Sequence, residues 1–188
     1  MNMYVRWFAV LALIVGLVTA LFLMAPEPQK KLGQGDTAIP VTLPDLQGNM
    51  HSLVKGDVML LHFWATWCTP CRAEIPSMIK VYDKFKDSGL NILAVSTDQN
   101  GDDIRDFIDM YHINFQVVRD VDMVVANRYA ITGYPETYII DRNGVIQKHI
   151  IGPAPWEDAN MQAWLKQLLQ QKPKRTEQST AAVRQPGA

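Results

Sequence analysis

Hydrophobic and polar positions follow three rhythms along this chain of 188 residues. The first is an unbroken apolar stretch. Residues 7–24 are 18 positions without a charge, and as a helix they reach about 27 Å, close to the hydrocarbon thickness of a bilayer. The second is a set of short apolar runs. Residues 58–64 (VMLLHFW) and 90–95 read as strands buried on both faces, and 115–118 as a shorter strand. The third is helical spacing. Ile75, Met78, Ile79, Tyr82 and Phe85 stripe a helix over 71–87, which Gly89 ends. Ile104, Phe107, Ile108 and Tyr111 stripe another over 102–111. Residues 123–129 read as a short helix and 156–169 as the last one.

Turn signals join these runs. Val41 and Leu43 alternate, Gln47-Gly48-Asn49 turns, and 50–53 return, so 40–53 reads as a small β-hairpin. Residues 136–140 and 145–150 are strands joined by Asp141-Arg142-Asn143-Gly144. The order is βαβ, an inserted strand and helix, a hairpin and a final helix. That order predicts an α/β fold with a mixed sheet and helices on both faces. Residues 25–36 (APEPQKKLGQGD) read as a linker that spans up to about 40 Å when extended. Residues 171–188 are polar without an apolar period and are expected to be disordered. The expected division is an anchor at 1–24, a linker at 25–36, a domain at 37–170 and a tail at 171–188, with no internal repeat.

Charge and composition narrow the possible partners. The formal net charge is -1 with no basic stripe, which argues against nucleic acid. Arg6 can snorkel from the start of the apolar stretch to the headgroups. Val18-Thr19-Ala20 is a passable cleavage site, but Leu21–Met24 continue the run beyond it, so an uncleaved anchor is expected. Lysines 30 and 31 offset Arg6, so orientation rests on the short N-terminal flank staying in the cytoplasm. The domain is then expected on the extracytoplasmic, periplasmic side of the inner membrane.

The candidate chemistry lies in the only two cysteines, in Trp67-Cys68-Thr69-Pro70-Cys71. A single Cys-x-x-Cys does not complete a four-ligand zinc site. After a strand and before a helix it reads as a dithiol redox centre, closing a Cys68–Cys71 disulfide within one helical turn. As a structural staple it would close a two-residue gap and constrain little of the unfolded chain. Cys68 at the helix N-terminus, with Arg72 nearby, favours thiolate and is the expected nucleophile. Cys71 faces inward and resolves the mixed disulfide. Pro70 stiffens the first turn, and Thr69 and Pro70 tune the couple, leaving oxidising and reducing roles both open.

Phe63-Trp64-Ala65-Thr66-Trp67-Cys68, together with Gly133-Tyr134-Pro135-Glu136-Thr137-Tyr138-Ile139-Ile140-Asp141, resembles the thioredoxin fold. With the anchor, the hairpin and the insertion, the chain is similar to the ResA, CcmG/DsbE and TlpA group, membrane-tethered thiol–disulfide oxidoreductases of cytochrome c maturation. The resemblance covers about 36–169. It implies a cis bond before Pro135, opposite Cys68, where an extended partner peptide pairs. It implies an acid, Glu74, near the thiols to manage the proton of Cys71; the plainer reading is a favourable acid in the first helical turns. Glu136 is expected to point into the same groove and select partners by charge or raise the Cys68 pKa, or else to be a solvated strand-start residue. His62 stands where thioredoxin has a buried Asp and the relatives an Asn. It is either a hydrogen-bonded core histidine or a base beneath Cys71.

The resemblance also implies partners: the oxidised Cys-x-x-Cys-His site of apocytochrome c or other disulfide-bearing exported proteins, with electrons from a transmembrane dithiol donor of the DsbD or CcdA type. No small-molecule cofactor and no metal are expected. Trp67 is expected to cover the thiol and contact partners, while Trp64, Phe107, Phe115 and Tyr138 pack the core. The methionines are scattered, and His51, His112 and His149 have no partner spacing. Three rival readings remain: a general or stress-linked periplasmic reductase, a Cu(I)-binding metallochaperone using both thiolates, and a tethered peptide-binding module with an idle disulfide.

Overall fold

The computed structural model describes residues 3–24, 31–54 and 56–173. The first half of the expected linker and all but the first residues of the expected tail lie outside them. The N-terminal helix α1 (Met3–Leu23) belongs to a unit of its own. It is the one helix among the described residues long and apolar enough to cross a bilayer.

The second unit is built around β3 (Val58–Trp64), whose seven residues are all buried. A strand buried on both faces belongs at the centre of a sheet. The five-stranded sheet places it there, with β4 (Leu90–Ser96) and β5 (Gln116–Arg119) on one side and β6 (Glu136–Ile140) and β7 (Ile146–Ile151) on the other. β3 pairs parallel with β4 and antiparallel with β6, so the sheet is mixed as expected. A parallel neighbour needs a crossover, supplied by α2 (Thr69–Phe85) and the 3-10 turn Lys86–Ser88. The expected hairpin is the separate pair β1 (Thr42–Pro44) and β2 (Met50–Ser52). Residues 35 and 36, at the end of the expected linker, are tied to β7: Gly35 N–H donates to Ile146 O, and Ile146 N–H to Asp36 O.

Two apolar layers sandwich the sheet. One packs Ile75, Met78 and Val81 of α2, Ile104 and Phe107 of α3 (Gly101–Tyr111) and Leu165 and Leu168 of α5 (Ala159–Gln170) onto Leu60, Trp64 and Ile139. The other packs Val125 and Ala126 of α4 (Val124–Arg128) and its C-cap Tyr129, with Val41 and Leu43, onto Leu61, Phe63 and Tyr138. Trp64, Phe107, Phe115 and Tyr138 are buried, as expected.

Arg142, in the β6–β7 turn, pins three elements together. Its guanidinium donates to Gly56 O at 2.6 Å, Ser88 O at 3.0 Å and Leu169 O at 3.1 Å. Gly89 must stay small beside it. Its φ is 90°, and a Cβ there would meet Arg142 Nη2 at 2.8 Å. Charge-assisted bonds of this kind contribute more than neutral ones, and their carbonyls are left unpaired on truncation. Arg142→Ala is therefore expected to lower the unfolding free energy by about 2–3 kcal/mol in urea titration.

Candidate active site

The chain leaves β3 at Trp64 and reaches α2 through a short loop held by one buried acid. Asp98, just past β4, accepts from Thr66 N–H and Thr66 Oγ1, both at 2.9 Å, and from Ser96 Oγ at 2.7 Å. Cys68 N–H then closes a turn onto Ala65 O at 3.2 Å. This puts Cys68 at the N-cap of α2, where its sulfur accepts from Cys71 N–H at 3.3 Å. Free N–H groups and the helix dipole favour negative charge on that sulfur.

Cys68 and Cys71 form a disulfide with an S–S distance of 2.07 Å. Cys71 is fully buried and Cys68 is 4% exposed, so both cysteines are covered. Thr69 and Pro70 are exposed at the first turn. Trp67 is 69% exposed and meets the Tyr134 ring edge-on at 5.8 Å. Arg72 lies over the Phe107 ring at 5.8 Å.

The Tyr134–Pro135 bond is cis, as the resemblance implied. Phe63 pairs with Glu136, so the register carries Pro135 to the end of β3 where the cysteine loop starts. Tyr134 Oη accepts from Thr97 Oγ1 at 2.8 Å, and Pro135 O accepts from Gly152 N–H at 2.8 Å. The cis-proline loop is thereby fixed to β4 and to the segment after β7.

Glu74 and His62 meet beneath the disulfide helix. Glu74 shares a helix face with Cys71, three residues earlier, and is 5% exposed. Its Oε2 accepts from Ala154 N–H at 2.9 Å and Trp156 Nε1 at 3.2 Å. Its Oε1 lies 3.5 Å from His62 Nε2. His62 is fully buried, and its Nδ1 bonds Thr137 Oγ1 at 2.9 Å. Burial pushes the Glu74 carboxyl up to about 7, against the pull of its two N–H donors. Burial pushes His62 down to about 3, so its ring is neutral at physiological pH.

Glu136 lies elsewhere than expected. Along β6, Glu136, Tyr138 and Ile140 face one layer, while Thr137 and Ile139 face the layer of Cys71 and His62. Glu136 is fully buried, not a groove or surface residue. Its carboxylate accepts from Thr132 N–H and Oγ1, both at 2.9 Å, bonds His149 Nε2 at 2.8 Å and lies 3.4 Å from Lys31 Nζ. Burial pushes this carboxyl up, but those partners together hold it below its ordinary value. His149, which had no visible partner, also stacks on Tyr138 at 4.0 Å. The pairing Tyr138↔His149 across the β6–β7 hairpin was the signal that locates it. Nothing local marked Asp98 or tied Thr137 and Trp156 to this site.

A cysteine pair capping the first turn of the helix after the central strand, beside a cis-proline, defines a thioredoxin-fold thiol–disulfide oxidoreductase. Residues 34–149 match the AhpC/TSA family, and the chain belongs to that family. It is 36% identical over 126 residues to the thiol-disulfide oxidoreductase ResA of Geobacillus thermodenitrificans, covering 66% of this chain and 72% of that protein. It is 31% identical over 153 residues to ResA of Bacillus subtilis, covering 80% and 86%. A crystal structure described as a putative thiol:disulfide interchange protein DsbE from Chlorobium tepidum superposes with a TM-score of 0.68 at 30% identity, covering 74% of this chain and 99% of that one. The fold and the activity class are therefore those expected: a thiol–disulfide oxidoreductase of the ResA/DsbE type, acting on disulfide-bearing substrates.

The Glu74–His62 pair makes a sharp stability prediction. Raising the folded pKa of Glu74 from 4.5 to about 7 removes stability as pH rises through that window. Lowering the folded pKa of His62 from 6.5 to about 3 removes stability as pH falls through its window. Between pH 4.5 and 6.5 folding in effect moves one proton from His62 to Glu74, and the two slopes cancel. Glu74→Gln is expected to unmask His62. Unfolding titrations should show stability falling by about 1.4 kcal/mol per pH unit below 6.5, and a gain over wild type of about 2–3 kcal/mol at pH 8.

Proposed function

We propose that this protein is a membrane-anchored reductase of protein disulfides outside the cytoplasm, with the oxidised Cys-x-x-Cys-His site of apocytochrome c as its client. The observation that carries the reading is the Cys68–Cys71 disulfide at the α2 N-terminus beside the cis Tyr134–Pro135 bond. The likeness to ResA and DsbE proteins supports reduction over net oxidation. The apolar helix α1 supports a tether in the inner membrane with the domain on the periplasmic side.

In the reduced protein the Cys68 thiolate attacks one sulfur of the client disulfide, and the client's other sulfur leaves as a thiolate. Cys71 then gives its proton to the Glu74 carboxylate and attacks Cys68 Sγ. The Cys68–Cys71 bond forms, the mixed disulfide breaks, and the client has gained two electrons. An extended client segment pairs along the backbone preceding Pro135, with Trp67 as its apolar contact. A transmembrane dithiol donor of the DsbD or CcdA type restores the dithiol. Thr69 and Pro70 set the potential of the couple from the first turn.

The test is a trap. With Cys71→Ser the mixed disulfide on Cys68 is not resolved, and the covalent complex isolated from cells is expected to contain apocytochrome c. Complexes holding other exported proteins and no apocytochrome c would sink this client and leave a general periplasmic reductase. Glu74→Gln is expected to slow resolution about 10- to 100-fold in stopped-flow exchange while leaving the attack by Cys68 intact.

A further inference from the structure

Two fully buried polar atoms face each other beneath α2: His62 Nε2 and Glu74 Oε1, 3.5 Å apart. Neither has a hydrogen-bond partner among the described residues. Every other polar atom of the two side chains is engaged. His62 Nδ1 is bonded to Thr137 Oγ1, and Glu74 Oε2 receives the N–H groups of Ala154 and Trp156. Unpaired buried polar atoms are costly, and here a potential donor and a potential acceptor face each other.

We propose that His62 is a positioning residue for proton transfer at the dithiol: its Nε2 serves Glu74 Oε1 in both protonation states of the carboxyl, and the ring exchanges tautomer as Glu74 gains or loses a proton. The inference rests on the reading above, in which Glu74 takes the Cys71 proton.

The hydrogen-bond inventory allows two states. When Glu74 is a carboxylate, His62 donates Nε2–H to Oε1, and its Nδ1 lone pair accepts the Thr137 hydroxyl proton. When Glu74 is protonated, the proton sits on Oε1, because Oε2 already faces two donors. Oε1–H then donates to the Nε2 lone pair, and Nδ1–H donates to Thr137 Oγ1. Thr137 can reverse because a hydroxyl both gives and takes. Neither state needs an imidazolium, which burial disfavours at this position.

Among the described residues, the groups around the pair come from four segments of the chain. α2 contributes Glu74 and Cys71, β3 contributes His62, β6 contributes the Thr137 hydroxyl, and the segment after β7 contributes a backbone N–H and an indole N–H. The α2 cations Arg72 and Lys80 are engaged elsewhere, over Phe107 and with the exposed Glu157. No charged group among the described residues pairs with Glu74 other than His62, so its Oε1 depends on the Nε2–H donor. Removing that donor raises the proton affinity of Glu74 and keeps it from being a base where Cys71 must ionise.

Two measurements on the full chain test this. Nitrogen NMR of the His62 ring in the oxidised wild-type protein is expected to pass from the Nδ1–H to the Nε2–H tautomer with a midpoint near pH 7. A tautomer that stays constant from about pH 5 to about pH 9 overturns the proposal, with no variant needed. The second is the pH profile of mixed-disulfide resolution. His62→Asn keeps a partner for Thr137 but falls short of Oε1, and should move the acid limb up by about one pH unit or more. His62→Gln sets an amide nitrogen at the level of Nε2 and should bring the limb back. Wild-type midpoints in both variants overturn the proposal. The NMR experiment uses the resting disulfide without a client, so its failure is distinguishable from failure of the proposed reductase.

Discussion

Everything that meets the disulfide is placed by β3, seven residues buried on both faces between a parallel and an antiparallel neighbour. Its parallel edge makes a crossover obligatory, and α2 is that crossover. Its C-terminal end therefore delivers Cys68 to a helix N-terminus, where backbone N–H groups stand free. Its antiparallel edge brings β6 alongside in the reverse sense, so the start of β6, with Pro135, arrives at the same end. Asp98 holds the short loop between strand and helix in one shape. Strand order therefore brings the Cys68–Cys71 pair and the cis-proline to the same end of the sheet.

The same strand pair separates two Glu–His couples of opposite character. Glu136 and His149 are 2.8 Å apart, and the carboxylate has further donors in Thr132 and a nearby Lys31. Enough donors outweigh burial, and that carboxyl stays ionised. Glu74 and His62 are 3.5 Å apart, and one carboxyl oxygen lacks a close donor. There burial prevails, and the carboxyl titrates near neutrality. Identical side-chain types become a fixed structural charge on one face of the sheet and a titratable group on the other. The difference is the number of hydrogen-bond donors on the carboxylate together with the Lys31 charge.

What was legible in the sequence follows from the range of each signal. The apolar runs of β3 and β4, the stripe of α2 and the Cys-x-x-Cys and Tyr-Pro-Glu-Thr segments are local, and all lie where they were expected. The placement of Glu136 was not legible for a specific reason. All five residues of β6 are buried, so no alternation of polar and apolar residues marks which parity faces α2. Only the pairing with β3 shows that Thr137, and not Glu136, looks toward His62. The partners of Glu74 were hidden by distance along the chain. Ala154 and Trp156 lie 80 and 82 residues away and reach it through the segment between β7 and α5. The parity that misplaced Glu136 also explains why His62 looked ambiguous: its own strand gives no outward face to compare.

A constraint on charge ties the proposed chemistry to this burial. Resolution requires a thiolate at Cys71, which is fully buried, and a second anion beside it would be costly in such a place. Passing the Cys71 proton to Glu74 neutralises the carboxylate in the step that creates the thiolate, so the buried region holds one negative charge throughout. His62 fits this limit because it serves either state of Glu74 as a neutral ring. A cationic residue at position 62 would trap Glu74 as a permanent carboxylate, much as Glu136 is held on the other face. An apolar one would leave Glu74 protonated and unable to accept. A buried neutral histidine lies between these outcomes, which is the condition a reversible proton acceptor near pH 7 requires.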